Sequence, residues 1–221
     1  MTTHLQRELD SLKDTFMVLV QEVESTIERS VKSLKEMDPT LAENIIQADD
    51  AIDQLEIKIE EECLKILALY QPVAVDLRFI VAILKINNDL ERIGDLGVNI
   101  AKRVIMLSEH PIPFETADFT VLQEKVSIML SKSLDALVRH DTPLAKEVRG
   151  LDREVDSLKN RIETKVIQAL QTHPENVQPY LSILSICRHL ERIADHATNI
   201  AEDVIYMVEG DIIRHRAPAK K

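Results

Sequence analysis

The sequence predicts an all-α fold: six long helices in two tandem, pseudo-symmetric three-helix bundles. Three observations predict it. Apolar residues recur at spacings of three and four over long stretches. The composition holds four Gly, no Trp and 3% aromatic residues among 221, with 45% hydrophobic residues, which favours helices over strands. The second hundred residues then repeat the first.

The first helix follows Leu5, Leu9, Leu12, Phe16, Leu19 and Val23, a bundle seam that steps out of phase at Ile27, Val31 and Leu34. Asp38-Pro39 signals a helix start, an N-cap residue followed by Pro in the first turn. From there Leu41, Ile45, Ala48, Ile52, Leu55 and Ile59 predict one continuous second helix. The third is entered through Gln71-Pro72, runs from about Val75 to Leu107, and stops before Pro111 and Pro113.

At an offset of 103, Phe16 matches Phe119, Ser30 matches Ser133, Asp38 matches Asp141, and Asp49 and Asp53 match Asp152 and Asp156. Three extra residues near Gln71 then change the offset to 100. Ten of the seventeen positions from 89 to 105 are identical to their partners, among them Leu90-Glu91-Arg92-Ile93 with Leu190-Glu191-Arg192-Ile193. So long a repeat exceeds the periods of solenoids, and each copy reads as a small bundle with its own core. Residues 1–110 form the first repeat, 114–210 the second, and 211–221 a basic tail carrying Arg214, His215, Arg216, Lys220 and Lys221.

A net charge of −11 argues against nucleic-acid binding, which needs clustered Lys and Arg. Cys63 and Cys187 lie in helical patterns without a CxxC pair and read as buried thiols of a reducing compartment. The longest apolar run, Phe79 to Leu84, is six residues, against about 20 for a membrane span. A cytoplasmic protein is expected.

The candidate chemistry is carboxylate. Asp49 and Asp53, four apart on the second helix, and Glu91 and Asp95, four apart on the third, each project from one face; Asp152 with Asp156 and Glu191 with Asp195 repeat the pattern. Facing one another across a groove, such acids repel unless a cation lies between them or some are protonated. An oxygen-only donor set suits Mg²⁺, Ca²⁺, Mn²⁺ or Fe. Asn99 and Asn199, one turn further on, add possible carbonyl oxygens, and His196 stands beside Asp195 where the first copy has Leu96. The plainer alternative is a solvated acidic face with salt-bridge partners. Catalysis has less support, since no Glu is followed by His at the third position and no Gly-rich phosphate loop occurs.

Gln71-Pro-Val-Ala-Val-Asp-Leu-Arg78, followed by Asp89-Leu-Glu-Arg-Ile-Gly-Asp95 and His189-Leu-Glu-Arg-Ile-Ala-Asp-His-Ala-Thr-Asn-Ile-Ala-Glu202, resembles the PhoU family of bacterial phosphate-signalling proteins. The resemblance covers essentially the whole chain. It implies a cytoplasmic, non-enzymatic regulator that is peripheral to the membrane through its partners. These are the ATPase subunit of the phosphate ABC transporter and a phosphate-sensing histidine kinase, both restrained when phosphate is plentiful. The same resemblance implies metal ions (Fe, Mn, Mg or Zn) on the eight acids, a homodimer, and partner contacts through Asp76, Arg78, Arg92 and Arg192. Asn176-Val-Gln178 replaces Asp76-Leu-Arg78 in the second copy, so any role of that turn belongs to the first half. The rival readings are a metal-free helical scaffold and a carboxylate–metal phosphohydrolase.

Overall fold

The computed structural model describes residues 3–110 and 117–213; Pro111, Pro113 and the basic residues from Arg214 onward lie outside the described residues. Among the described residues seven α-helices make six long rods: α1 (Thr3–Glu36), α2 (Pro39–Gln47) with its continuation α3 (Asp50–Tyr70), α4 (Ala74–Glu109), α5 (Ala117–Arg139), α6 (Thr142–Thr172) and α7 (Val177–Glu209). At 1.5 Å per residue the 34 residues of α1 span about 51 Å.

The repeat is visible in the turns. Met37 and His140, equivalent positions, both take left-handed φ values, 51° and 53°. Each closes the helix before it, so that the amide of Asp38 donates to Ser33 O and that of Asp141 to Ala136 O, both at 2.9 Å. The carboxylates of the same two Asp then cap the next helix, accepting from Leu41 N at 3.0 Å and Leu144 N at 2.9 Å. One residue ends one rod and starts the next.

Two departures from perfect repetition stand out. The second rod of the first half is not continuous. Over Ala48–Ile52 the helical bonding tightens to i→i−3, as in Ala51 N to Ala48 O and Ile52 N to Asp49 O. Asp49, Asp50 and Asp53 crowd this point, whereas the second half has Arg153 in place of Asp50 and an unbroken α6. Three like charges on a residue type of modest helix propensity loosen the turn, and a compensating cation keeps it. The other departure lies at the third rod. In register at the offset of 100, the first three residues of α4, 74–76, correspond to a 3₁₀ turn at Pro174–Asn176, so α7 starts three residues later than α4.

The most extensive helix pair is α4 with α7. These run antiparallel, since Lys85 meets Asp203 while Asp89 meets His196. The rods α1 and α2–α3 flank α4, and α5 and α6 flank α7. The expected separate cores are therefore joined. Ile86, Leu90, Ile93 and Ile100 of α4 and Ile186, Leu190, Ile193 and Ile200 of α7 belong to one buried cluster that runs through both halves. Each central helix presents apolar residues around most of its circumference, and such a helix is stable only when covered on several sides. Among the described residues no helix is long and apolar enough to cross a membrane.

One close approach fixes α1 against α4. Ser30 Oγ lies 2.8 Å from Thr26 O of its own helix and 3.1 Å from Gly97 O of α4. A Cβ at Gly97 would stand 2.8 Å from Ile27 Cδ1 and 3.2 Å from Ser30 Oγ.

Candidate functional site

The eight acids fall where two helices of each half adjoin. In the first groove Asp49 sits at the break between α2 and α3, Asp53 in the first turn of α3, and Glu91 and Asp95 on α4. Burial raises the Asp49 carboxyl above its ordinary range, and Asp53 and Asp95 raise it further. Glu91 is raised in the same way, by burial first and then by Asp95. Two cations oppose this: Arg92 reaches Glu91 Oε2 with Nε and Asp95 Oδ2 with Nη1, each at 3.3 Å, and the charge of Lys102 acts on Asp49.

The second groove is more strongly crowded. Asp152 and Asp156 lie on α6, Glu191 and Asp195 on α7. Asp152 is raised by burial, then by Asp156 and Glu191. The Asp195 carboxyl, on the outer side of α7, is pushed up to about 6, chiefly by its removal from bulk water and then by Glu191, Asp152 and Asp156. Lys159 Nζ takes Glu191 Oε1 at 3.1 Å, but among the described residues no ion pair reaches Asp152 or Asp195. Both of these line a cavity of about 620 Å³ together with Lys85, Asp89, Thr198 and Glu202. Thr198 Oγ1 is buried there with no partner among the described residues.

The four acids of each groove thus sense one another across the helix pair. Among the described residues, however, no three His, Cys, Asp or Glu side chains are gathered closely enough to hold a metal ion. Like charges spread apart, and Arg92 in one groove and Lys159 in the other draw carboxylates to themselves. The chemistry of the donor set still fits a hard cation, because carboxyls held above their ordinary pKa by burial and then by one another ionise more readily beside positive charge.

Two of the three additional ligand candidates are engaged elsewhere. His196 Nδ1 lies 2.7 Å from Asp89 Oδ1, and Asn199 Nδ2 donates to the same oxygen at 3.3 Å, so both reach across to α4. Asn99 is half-buried on α4. The partner-contact candidates do not form one surface. Asp76 and Arg78 are half-buried at the start of α4, whereas Arg92 and Arg192 are exposed beside the grooves, Arg92 fourteen residues or about 21 Å further along the helix.

Sequence reasoning did not single out Asp89 and Asp203. Lys85 Nζ lies 3.3 Å from Asp203 Oδ1 and 4.7 Å above the Tyr206 ring, and only 2% of the Asp203 side chain is exposed. The available signal was disagreement between the copies. Asp89 corresponds to His189 and Asp203 to Arg103, so one side of the α4–α7 junction carries opposite charges. The other side sets Arg103 near His189, whose ionisation burial and that arginine suppress.

Comparison with known proteins extends these correspondences. The family model described as PhoU domain matches residues 17–104 and again 119–204, one match in each half. A phosphate-specific transport system accessory protein PhoU homolog of Aquifex aeolicus is 39% identical over 212 residues, covering 96% of both chains. A homolog of the same description from Pseudomonas aeruginosa is 37% identical over 94% of this chain and 86% of its own. The crystal structure of PhoU from Pseudomonas aeruginosa superposes with a TM-score of 0.90 at 37% identity, covering 93% of this chain and 99% of that one. That of the phosphate transport system regulatory protein PhoU from Streptococcus pneumoniae gives 0.85 at 32% identity, with 94% and 98% covered.

Proposed function

The chain belongs to the PhoU family, and from that premise we propose that it is a cytoplasmic regulator of phosphate uptake and of the phosphate-starvation response. It acts by contact with the ATPase subunit of the phosphate ABC transporter and with a phosphate-sensing histidine kinase, restraining both when phosphate is plentiful. The observation that carries this reading is the full-length correspondence with phosphate transport accessory proteins, which includes both halves and the junction between them.

The architecture supports a contact protein. Two bundles joined through a common α4–α7 core make a stiff body that holds distant surfaces in fixed relation. The hairpin tip between α3 and α4 exposes Leu69, Val73 and Val75, each more than 60% accessible, in the first half only. The equivalent turn of the second half is His173-Pro174-Glu175-Asn176. Apolar side chains at a projecting tip suit a partner interface. A homodimer belongs to the same reading.

The carboxylate grooves are proposed as metal sites, Asp49, Asp53, Glu91 and Asp95 in one and Asp152, Asp156, Glu191 and Asp195 in the other. A di- or trivalent ion there (Fe, Mn, Mg or Zn) would supply charge neutralisation. The chain's own part is to hold opposed acids on two helices, so that neutralisation ties α3 to α4 and α6 to α7. The ion pairs of Arg92 and Lys159 favour a second reading, in which internal cations alone balance the acids and the protein is a metal-free scaffold. Elemental analysis of the purified protein separates the two. Turnover of a generic phosphoester with added Mn²⁺ is not expected.

The deciding experiment is affinity capture from phosphate-replete and phosphate-starved cells. Recovery of the transporter ATPase subunit and the sensor kinase is the expected result, and their absence under both conditions overturns the proposed function. If neither Mn, Fe, Mg nor Zn copurifies or shifts the melting temperature, and a double variant Asp95→Ala, Asp195→Ala recovers its partners normally, the metal part alone is overturned.

A further inference from the structure

The two ends of the α4–α7 pair are equivalent by the repeat, and each carries a cavity. At one end the cavity, about 470 Å³, is bordered by Glu109, His110, Glu175, Asn176 and Gln178. At the other, about 390 Å³, the start of α4 meets α1, the α5–α6 turn and the end of α7. Gln6 and Lys13 of α1, Arg78 of α4 and His140 of the turn border it, and Asp76 is the acid facing them. Arg78 stands where the second half has Gln178, and Asp76 where it has Asn176.

The Nε of Arg78 is fully buried in this place and has no acceptor among the described residues. A guanidinium is charged at every physiological pH, and a buried donor of a charged group left unpaired is costly enough to require a partner. Asp76, two residues away, forms no ion pair with it. Lys13 adds a second cation, with its Nζ 5.3 Å from the centre of the Phe79 ring. Leu9, Val75, Phe79, Met207 and Val208 supply apolar wall. Apolar walls with a few convergent polar groups characterise small-molecule sites, and a guanidinium beside an ammonium selects an anionic head.

We propose that this cavity binds a small organic anion, its phosphate or carboxylate head on Arg78 and Lys13 and its apolar body against Phe79 and Met207. The site is independent of the carboxylate grooves. It also differs in kind from its repeat-related counterpart, where Gln178 offers no charge and Glu109 and Glu175 repel an anion.

The test is NMR titration of the protein labelled with ¹⁵N at arginine, following the Arg78 Nε–Hε resonance. The probes are phenyl phosphate, benzoate and inorganic phosphate. A saturable shift is expected with phenyl phosphate or benzoate, with inorganic phosphate at least tenfold weaker. By calorimetry, Arg78→Gln, which installs the residue of the second half, weakens the better organic probe at least tenfold, and Lys13→Gln weakens it less. Unchanged melting of both variants excludes a folding defect. The proposal is overturned if no probe moves the resonance, if Arg78→Gln binds as wild type does, or if inorganic phosphate binds as tightly as the organic probes. The wild-type titration decides even if Arg78→Gln fails to fold.

Discussion

Asp89 Oδ1 on α4 lies 2.7 Å from His196 Nδ1 on α7, a hydrogen-bonding contact between residues 107 positions apart that joins the two halves of a duplicated chain. The corresponding residues of the other copy, His189 and Leu96, cannot make it. Replacing His196 by Leu leaves a carboxylate only 9% exposed with Asn199 alone, which costs about 1–3 kcal/mol of unfolding free energy. Adding Asp89→Leu removes the stranded charge and returns part of that loss. Urea denaturation of both single variants and the double variant measures the coupling; strict additivity would show that the contact does not join the halves.

Gly97→Ala tests the α1–α4 approach. The new methyl meets Ile27 Cδ1 at 2.8 Å and Ser30 Oγ at 3.2 Å, so Ile27 must leave its place and the Ser30 contact to Gly97 O must lengthen. A loss of about 1–3 kcal/mol is expected, as for other overpacked core positions. The second copy already has Ala197 at this position, so the reciprocal change Ala197→Gly costs closer to 1 kcal/mol, through helix propensity. Thermal melting that fails to rank the two variants in this order argues against the approach.

Asp38→Ala and Asp141→Ala each remove a side-chain cap and should lower stability by about 1 kcal/mol. Hydrogen exchange gives the local readout: the amides of Leu41 and Leu144, which donate to these carboxylates, lose protection in their own half only. Equal loss in both halves from either substitution would mean that the caps act through global stability instead.

These elements also show what the sequence could and could not reveal. The rods, the Asp caps and the four-residue spacing of the acids along each rod follow from local pattern, and all are legible. The break at Ala48–Asp49 is not, because Leu41, Ile45, Ile52 and Ile59 keep their rhythm across it; the only sign was Asp50 in place of Arg153. The shared core escaped for a related reason. Repeat matching compares each half with the other, whereas α4 and α7 are helices that pack on each other. His196 and Asn199 looked like ligands because they follow Asp195 along the chain, yet their rotation about α7 carries them to Asp89.

Cys63 and Cys187 are fully buried free thiols, and burial is the main reason that each is pushed up to about 12. The thiolate is the reactive form, so neither thiol should react with a disulfide reagent in the native protein at pH 8, and both should react in urea. The unfolded chain releases these protons near pH 9 while the folded chain keeps them until about 12, so stability falls as pH rises through that interval. Rapid native labelling of either cysteine would contradict the packing.

Asp195 gives the sharpest test of the second groove. Its carboxyl titrates at about 6 in the folded chain against 3.8 for the unperturbed group, so the folded state holds the proton more tightly than the unfolded one. With chelator present, the penalty from this group is absent below about pH 4, grows as pH rises through 6, and is complete above it. Asp195→Asn should therefore stabilise the metal-free protein at pH 7.5 and lose that advantage at pH 4. The side chain lies on the exposed side of α7, so solvent screening limits the gain to below about 1 kcal/mol, or a few degrees in melting temperature. Added Mn²⁺ should reverse the ranking, raising the melting temperature of the wild type more than that of Asp195→Asn, because the variant has lost an oxygen anion that would face the ion. A variant no more stable than wild type in chelator would show that the acids are not crowded. Equal responses to Mn²⁺ would place the ion away from Asp195.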